Sequence, residues 1–202
     1  ENDSVLYVVT AGSGFHKLIL EKQAGTIRFK SQKSYHFFHG QREITMFYPM
    51  LPEGDSILWL GSREKGLVRF DKRTEEYKVI SLKEMLHKSV DDVLSLYRTK
   101  EGLLYVGTTS GLVCLNSNGK QMKATYIGRE QGLLNDMIHG VLEDENGLLW
   151  LGTNRGLIKY NPINGSSHAY FYSAGVQIGE FSDDAYYMCP YTCLLYTSDA
   201  AD

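Results

Sequence analysis

The sequence predicts an all-β chain, a partial β-propeller of about four four-stranded antiparallel blades arranged as an open fragment. Three observations carry that expectation: a hairpin pattern recurs, its copies keep a near-constant interval, and the composition suits a turn-rich β domain. The clearest copy is residues 148–162, LLWLGTNRGLIKYNP. An apolar run reaches Trp150-Leu151-Gly152, a polar turn follows at Thr153-Asn154-Arg155-Gly156, and an alternating run Leu157-Ile158-Lys159-Tyr160 stops at Asn161-Pro162. Residues 58–70 (LWLGSREKGLVRF) and 104–115 (LYVGTTSGLVCL) repeat it, and residues 6–18 (LYVVTAGSGFHKL) are a blurred copy. Trp59, Tyr105 and Trp150 stand 46 and 45 residues apart, and Gly66, Gly111 and Gly156 stand 45 and 45 apart. Tyr7 and Gly14 precede Trp59 and Gly66 by 52, which places an insertion between the first two copies. One hairpin cannot bury its own apolar faces and must stack on neighbours. A period of about 40–45 residues holding several short strands is that of a propeller blade.

Taken in order, the expected units are residues 1–40, 44–82, 91–128 and 136–173, with the start of another at 176–192. Each complete hairpin follows another strand: 45–51 (TMFYPML), 93–97 (VLSLY) and 138–143 (IHGVLE). Short turns join these strands to their hairpins at 52–55, 99–102 and 144–147. Each hairpin is followed by a polar turn and a fourth strand, at 77–80, 123–127 and 168–172. Residues 181–188 would open the fifth unit. No helix is expected between Leu58 and Tyr160.

The recurring residues have structural jobs. Trp59, Tyr105 and Trp150 are wedges able to fill the space between neighbouring blades. Gly61, Gly107 and Gly152 end a strand where a side chain would obstruct close backbone approach. Gly66, Gly111 and Gly156 follow polar turn residues and are expected at positive φ. These residues carry fold rather than chemistry.

Gly 20 against Pro 4, with 12% aromatic and 43% hydrophobic residues, describes a packed chain and not a disordered one. A net charge of −3 gives no nucleic-acid footprint and no acidic tail. No apolar run approaches the roughly 18 residues of a membrane helix. Glu1 is neither an initiator Met nor the start of a signal-peptide pattern, so the left end reads as a cut. At the other end residues 193–202, CLLYTSDAAD, break the repeat. They resemble the translation of a sequencing-library adapter read through into the frame, and are expected to make no repeat-like strand contacts. Without them Cys114 and Cys189 remain of the 3 cysteines, too few for a disulfide framework.

Catalytic patterns are absent from the sequence: no G-x-S-x-G, no Walker loop, no H-E-x-x-H and no paired C-x-x-C. His36 and His39 would fall on opposite faces of a strand, which does not suit a metal pair. Gly12-Ser13-Gly14 reads as a turn, with no helix pattern after it to make a phosphate cradle. Asp91-Asp92 and Asp183-Asp184 could attract a cation but suit solvated turns better. Cys114 occupies the repeat position of Arg69 and Lys159, so a partly exposed free thiol is expected.

The pattern G-x-L-W-L-G-T-x-x-G-L-x-x-Y-N, preceded by N-D-x-I and an acidic turn, resembles the two-component regulator propeller repeat. Residues 147–161 with Asn135-Asp136-Met137-Ile138 follow it almost fully. Residues 103–116 carry Tyr105 for Trp, residues 58–71 carry Ser62 for Thr, and the first copy has Val9 where Gly stands in the pattern. Residues 176–185, VQIGEFSDDA, are similar to a stretch near the end of that region's second propeller. The resemblance implies the periplasmic sensor region of a hybrid two-component histidine kinase of the kind found in gut Bacteroidota. It further implies an anchor in the inner membrane, a homodimer, an oligosaccharide ligand, no cofactor and no catalysis in this region. Second-to-third strand turns and inter-blade connections of such blades emerge at one end. That end collects Arg63, Glu64, Lys65, Thr109, Ser110, Asn154 and Arg155, and the connection 128–137 adds Arg129, Gln131, Asn135 and Asp136. Arg63, Arg129, Asn135, Asp136, Asn154 and Arg155 are the ligand-binding candidates, their guanidinium, amide and carboxylate groups suiting sugar hydroxyls or uronates. Two rivals are a propeller lyase or glycosidase and a protein-binding propeller. A glycosidase needs two carboxylates roughly 5–10 Å apart, whereas the innermost strands offer Val93, Leu94, Ile138 and Val141, with Glu143 the sole acid among their inward candidates.

Overall fold

The computed structural model describes residues 4–23, 26–63, 65–116, 121–170, 186–188 and 195–197. The first sheet has three strands, β1 (Val5–Thr10), β2 (Gly14–Gln23) and β3 (Thr26–Tyr35), and a small hairpin follows, β4 (Phe37–His39) and β5 (Arg42–Ile44). Three four-stranded blades come next. They are β6 (Phe47–Glu53), β7 (Ile57–Ser62), β8 (Leu67–Asp71) and β9 (Tyr77–Ile80); β10 (Val93–Arg98), β11 (Leu104–Thr108), β12 (Gly111–Asn116) and β13 (Lys123–Ile127); and β14 (Ile138–Glu143), β15 (Leu149–Thr153), β16 (Gly156–Tyr160) and β17 (Ser167–Tyr170). Within each blade the strands lie in sequence order and pair antiparallel. The innermost strands share a register irregularity near their starts, at Phe47/Met50, Val93/Ser95 and Ile138/Gly140. A bulge there sharpens the twist where the chain enters each blade.

The strands β6, β10 and β14 adjoin one another, so the blades radiate from them. Apolar faces meet between the sheets. Phe15, Phe37, Phe47, Leu58, Leu60 and Phe70 fill the first junction. Trp59 packs with Val93, Leu104 and Val106 in the second, and Tyr105 with Ile138, Leu149 and Leu151 in the third. The wedge role thus holds for Trp59 and Tyr105. Trp150 is half-buried, stacked on Tyr170 at 5.5 Å and covered by Lys159 at 4.8 Å.

Each position of the repeat has a bond that explains it. The hydroxyl closing one strand of each hairpin donates to the carbonyl of the glycine that begins the return: Thr10 to Gly14, Ser62 to Gly66, Thr108 to Gly111 and Thr153 to Gly156, at 2.7–3.0 Å. The N–H of that glycine then reaches the connection leading into the next blade: Gly14 to Thr45 at 2.9 Å, Gly66 to Asp91 at 2.8 Å and Gly111 to Asp136 at 2.6 Å. Gly66, Gly111 and Gly156 have φ of 71°, 121° and 110°, as expected of turns closed this tightly. Gly61 and Gly107 abut the next blade: a Cβ at 61 would lie 2.6 Å from Val93 Cγ1, and one at 107 would lie 2.5 Å from the Ile138 carbonyl. The acidic turn belongs to the motif as well, since the indole of Trp59 donates to Glu53 at 2.5 Å and that of Trp150 to Asp144 at 3.0 Å.

Four expectations need correction. Helical turns do occur between Leu58 and Tyr160: α1 (Leu82–Leu86) and a 3₁₀ turn at Arg129–Gln131. Both lie in connections and replace no strand; Ser81 caps α1 by accepting from the Glu84 N–H at 3.2 Å. The first unit ends at Tyr35 and not at residue 40, because Phe37–His39 pairs with Arg42–Ile44 as a separate hairpin. That hairpin, with the ten-residue strands β2 and β3, accounts for the longer first interval. Asp91 and Asp92 are not merely solvated: Asp91 accepts from the Ser81 hydroxyl and the Lys83 N–H, and Asp92 pairs with Arg63. Lastly, β18 (Tyr186–Met188) pairs with β19 (Leu195–Thr197), so three residues of the tail do make strand contacts. Leu195-Tyr196-Thr197 has the apolar and β-branched character that pairing favours. The strand β18 lies beside β14, where the first strand of a fifth unit belongs. Residues 176–185, Asp183-Asp184 among them, lie outside the described residues, as do Glu64 and Cys189. Among the described residues no helix is long and apolar enough to cross a membrane.

Candidate ligand-binding site

The turns after β7, β11 and β15 share an end of the blades with the inter-blade connections. Arg63 N–H donates to Met46 and Thr109 N–H to Asp92, beside the glycine bonds already described. The candidate residues occupy three places on that end. Arg63 is held by Asp92 (Nε–Oδ1 2.5 Å) and by the face of Tyr48, 5.2 Å from its guanidinium carbon. It lines a cavity of about 440 Å³ with Arg42, Glu43, Met46, Lys65 and Asp92. A second cavity, of about 550 Å³, is lined by His39, Lys65, Lys83, Glu84, His87 and Asp91 among others.

Arg129, Asn135 and Asp136 form the second place. Arg129 pairs with Asp136 at 2.9 Å, with its side chain 77% exposed. Asn135 accepts from the Met137 N–H at 3.0 Å, and the Asp136 carbonyl takes the Gly111 N–H. The N-D of the repeat therefore holds the connection in shape. Asn154 and Arg155 form the third place. The Arg155 N–H donates to Thr153 Oγ1 at 3.1 Å, and the buried Oδ1 of Asn154 has no hydrogen-bond partner among the described residues. None of Arg129, Asn154 and Arg155 lines either cavity.

Other titratable groups are placed differently. Burial, followed by the like charge of Glu101, raises the Glu143 carboxyl above its ordinary range. Burial alone would raise Asp144 too, but N–H bonds from Leu148, Trp150 and Asn146, with the charge of Lys159, bring it below. Cys114 is a half-buried free thiol, pushed up by burial against a hydrogen bond with Tyr105 that acts the other way. His36 faces Glu43 at 2.5 Å and His39 faces Glu84 at 3.5 Å. Among the described residues no group of three or more His, Cys, Asp or Glu could hold a metal ion.

Lining residues Arg42, Lys83, His87 and Glu84 were not reached by sequence reasoning because they belong to the inserted hairpin and α1, outside the repeat. Two signals pointed to them: the 52-residue first interval, and Ser81-Leu82-Lys83-Glu84, which has the spacing of a capping box.

Blades of this topology, joined by a hydroxyl–glycine–connection relay of hydrogen bonds at their turns, define part of a β-propeller. The two component regulator propeller family matches residues 132–155. Over 200 residues the chain is 26% identical to histidine kinase P4 of Formosa agariphila, an alignment covering 92% of this chain and 13% of that protein. Its fold is similar to the extracellular domain assigned to the hybrid two component system BT3049 of B. thetaiotaomicron, with a TM-score of 0.68 at 17% identity over 96% of this chain and 26% of that one. The extracellular domain assigned to BT4673 of the same organism follows with a TM-score of 0.55 at 19% identity, covering 82% and 21%. The chain thus spans about an eighth of the curated relative and about a quarter of the first solved structure.

Proposed function

We propose that this chain is the ligand-sensing propeller module of a membrane-anchored two-component signalling protein, that it faces the periplasm, and that its ligand is an oligosaccharide. The observation that carries the reading is the two-component regulator propeller repeat at 132–155, set in a fold similar to the extracellular domains of two component systems. The module itself is non-enzymatic: it binds, and a kinase elsewhere in the same polypeptide answers, in a homodimer anchored in the inner membrane. The geometry supports a binding role, because a rigid repeated scaffold gathers Arg63, Arg129, Asn135, Asp136, Asn154 and Arg155 at the end where the connections emerge. The innermost residues Val93, Leu94, Ile138 and Val141 are buried hydrophobics, a poor lining for a two-carboxylate hydrolase.

The test is calorimetric titration of oligosaccharides into the protein and into a variant with Arg63, Arg129, Asn154 and Arg155 all replaced by Ala. Binding by the parent and its loss in the variant are expected. Unchanged affinity would move the site off this end of the blades.

A further inference from the structure

The two cavities meet at Lys65. Lys65, in the β7–β8 turn, lines both, and their volumes of about 440 and 550 Å³ fall in the range of small-ligand sites. The walls are the parts of the chain that the repeat does not dictate. One wall comes from the inserted hairpin, through His39, Arg42, Glu43 and Ile44; the other is α1 and its flanks, through Ser81, Lys83, Glu84, His87 and Lys88. Insertions into a repeat scaffold cluster on one face and commonly form its binding surface.

The charges in the cleft are unevenly committed. All four lining carboxylates are engaged: Glu43 with His36, Asp92 with Arg63, Glu84 with His39, and Asp91 with the Ser81 hydroxyl and Lys83 N–H at 2.8 and 2.9 Å. The cations are not. Arg42, Lys65 and the Lys83 ammonium have no carboxylate partner among the described residues, and Lys88 rests over the Tyr126 ring at 4.7 Å with its charge uncompensated. Arg42, Arg63, Lys65, Lys83 and Lys88 set against Glu43, Asp91, Asp92 and Glu84 leave one positive charge in excess among the described lining residues, in a chain of net charge −3. Field lines focus in such a cleft and raise the local concentration of anions. The exposed Met46 supplies apolar surface beside these cations, against which a sugar ring can rest.

We propose that the cleft bridged by Lys65 binds an acidic oligosaccharide, its carboxylates received by Arg42, Lys65 and Lys83. The inference rests on the sensing function above and names the ligand class and location. It is tested by titrating a tetramer of hexuronic acid, and the same tetramer with its carboxyls reduced to alcohols, into the full chain and into Lys65→Glu, Lys83→Ala and Arg28→Ala. The acidic tetramer should bind at least about tenfold tighter than the reduced one. It should weaken as salt rises, lose at least about tenfold in Lys65→Glu, and be unaffected by Arg28→Ala, at an exposed position of β3 that lines neither cavity. Lys65 has no ion-pair partner among the described residues, so Lys65→Glu should melt within about 2 °C of the parent; Lys83→Ala, at an exposed position, repeats the test without charge reversal. Equal binding of both tetramers, or a neutral glycan bound irrespective of Lys65, overturns this proposal and leaves oligosaccharide sensing standing. Failure to bind any glycan overturns both.

Discussion

Replacing Gly107 by Ala tests the idea that the repeat glycines set the spacing between blades. Gly107 is not at positive φ, so alanine is compatible with its backbone and should gain about 0.4–1 kcal/mol by restricting the unfolded chain. Packing opposes this. The new Cβ collides with Ser95 Oγ, and it would lie 2.5 Å from the Ile138 carbonyl oxygen and 2.9 Å from Ile138 Cγ2. The serine hydroxyl can turn away only by breaking its 3.2 Å bond to that carbonyl, and the carbonyl can retreat only if β14 moves. Overpacking costs about 1–3 kcal/mol, and backbone on one side puts this case near the top. The net loss is then about 2–2.5 kcal/mol, or roughly 4–10 °C in Tm at this chain length. The assay is thermal unfolding followed by far-ultraviolet circular dichroism, with Gly54→Ala as the comparison. Gly54 has φ of 57° and nothing within 4 Å of its added Cβ, so that variant should lose only the cost of a left-handed alanine, about 1–2 kcal/mol. A Gly107→Ala chain melting within about 2 °C of the parent would refute the interlocking of blades through these glycines.

Other outcomes follow from the titratable groups and the tail. Folding holds Glu143 above its ordinary pKa, so its stabilising contribution is complete below about 4.5 and fades as pH rises through the raised value. Glu143→Gln should therefore raise Tm at neutral pH and match the parent near pH 4, which melting curves across that range will check. Asp144 has the opposite sign: its contribution is present above 3.8 and is lost as pH falls through the lowered folded value. Asp144→Asn should cost about 1–3 kcal/mol at pH 7 by urea titration, with the deficit shrinking in acid. Cys114, examined with Cys189 and Cys193 changed to Ser, should react with a thiol reagent much more slowly in native buffer than in denaturant; equal rates would contradict its burial. Genomic reads that pass from CLLYTSDAAD directly into further coding sequence would refute the proposal that residues 193–202 come from an adapter.

Most of the fold was legible because the repeat states it several times. Strand positions at 77–80, 123–127 and 138–143 were read to the residue, since alternation and bounding turns agree there. The jobs of Trp59, Tyr105, Gly61, Gly107 and Gly111 were legible for the same reason. Three copies at one interval leave no other register that buries all of them. What was not legible lies between the repeats. The hairpin at 37–44 and α1 occur once each, so no second copy reinforces their weak local patterns, and the pairing of His39 with Glu84 spans 45 residues with no periodicity to announce it. The cleft is built from these single-copy parts, which is why Arg63 and Lys65 were anticipated while Arg42 and Lys83 were not. Asn135 and Asp136 show the converse. Their repeat positions made them conspicuous as ligand candidates, and their bonds to Met137 and Gly111 give them a place in the connection.

The same periodicity predicts where the isolated chain associates. Leu6, Val8 and Leu18 occupy the repeat positions of Leu58, Leu60 and Phe70, which pack the junction with the preceding sheet. Leu58 is 5% exposed there, whereas Leu6 is 48% exposed. The long strands β2 and β3 extend this face, since Leu20 pairs with Phe29 and Lys22 with Ile27, and Phe29 and Ile27 are 62% and 61% exposed. A sheet face that the repeat makes apolar, with strand edges beside it, favours pairing with another sheet. Sedimentation velocity of the chain should show concentration-dependent association, and Leu6→Glu with Phe29→Glu should suppress it. Because both side chains are exposed already, the double variant should keep the parent's Tm to within about 2 °C. Association that persists unchanged in this variant would place the contact on another surface and sever the equivalence between Leu6 and Leu58.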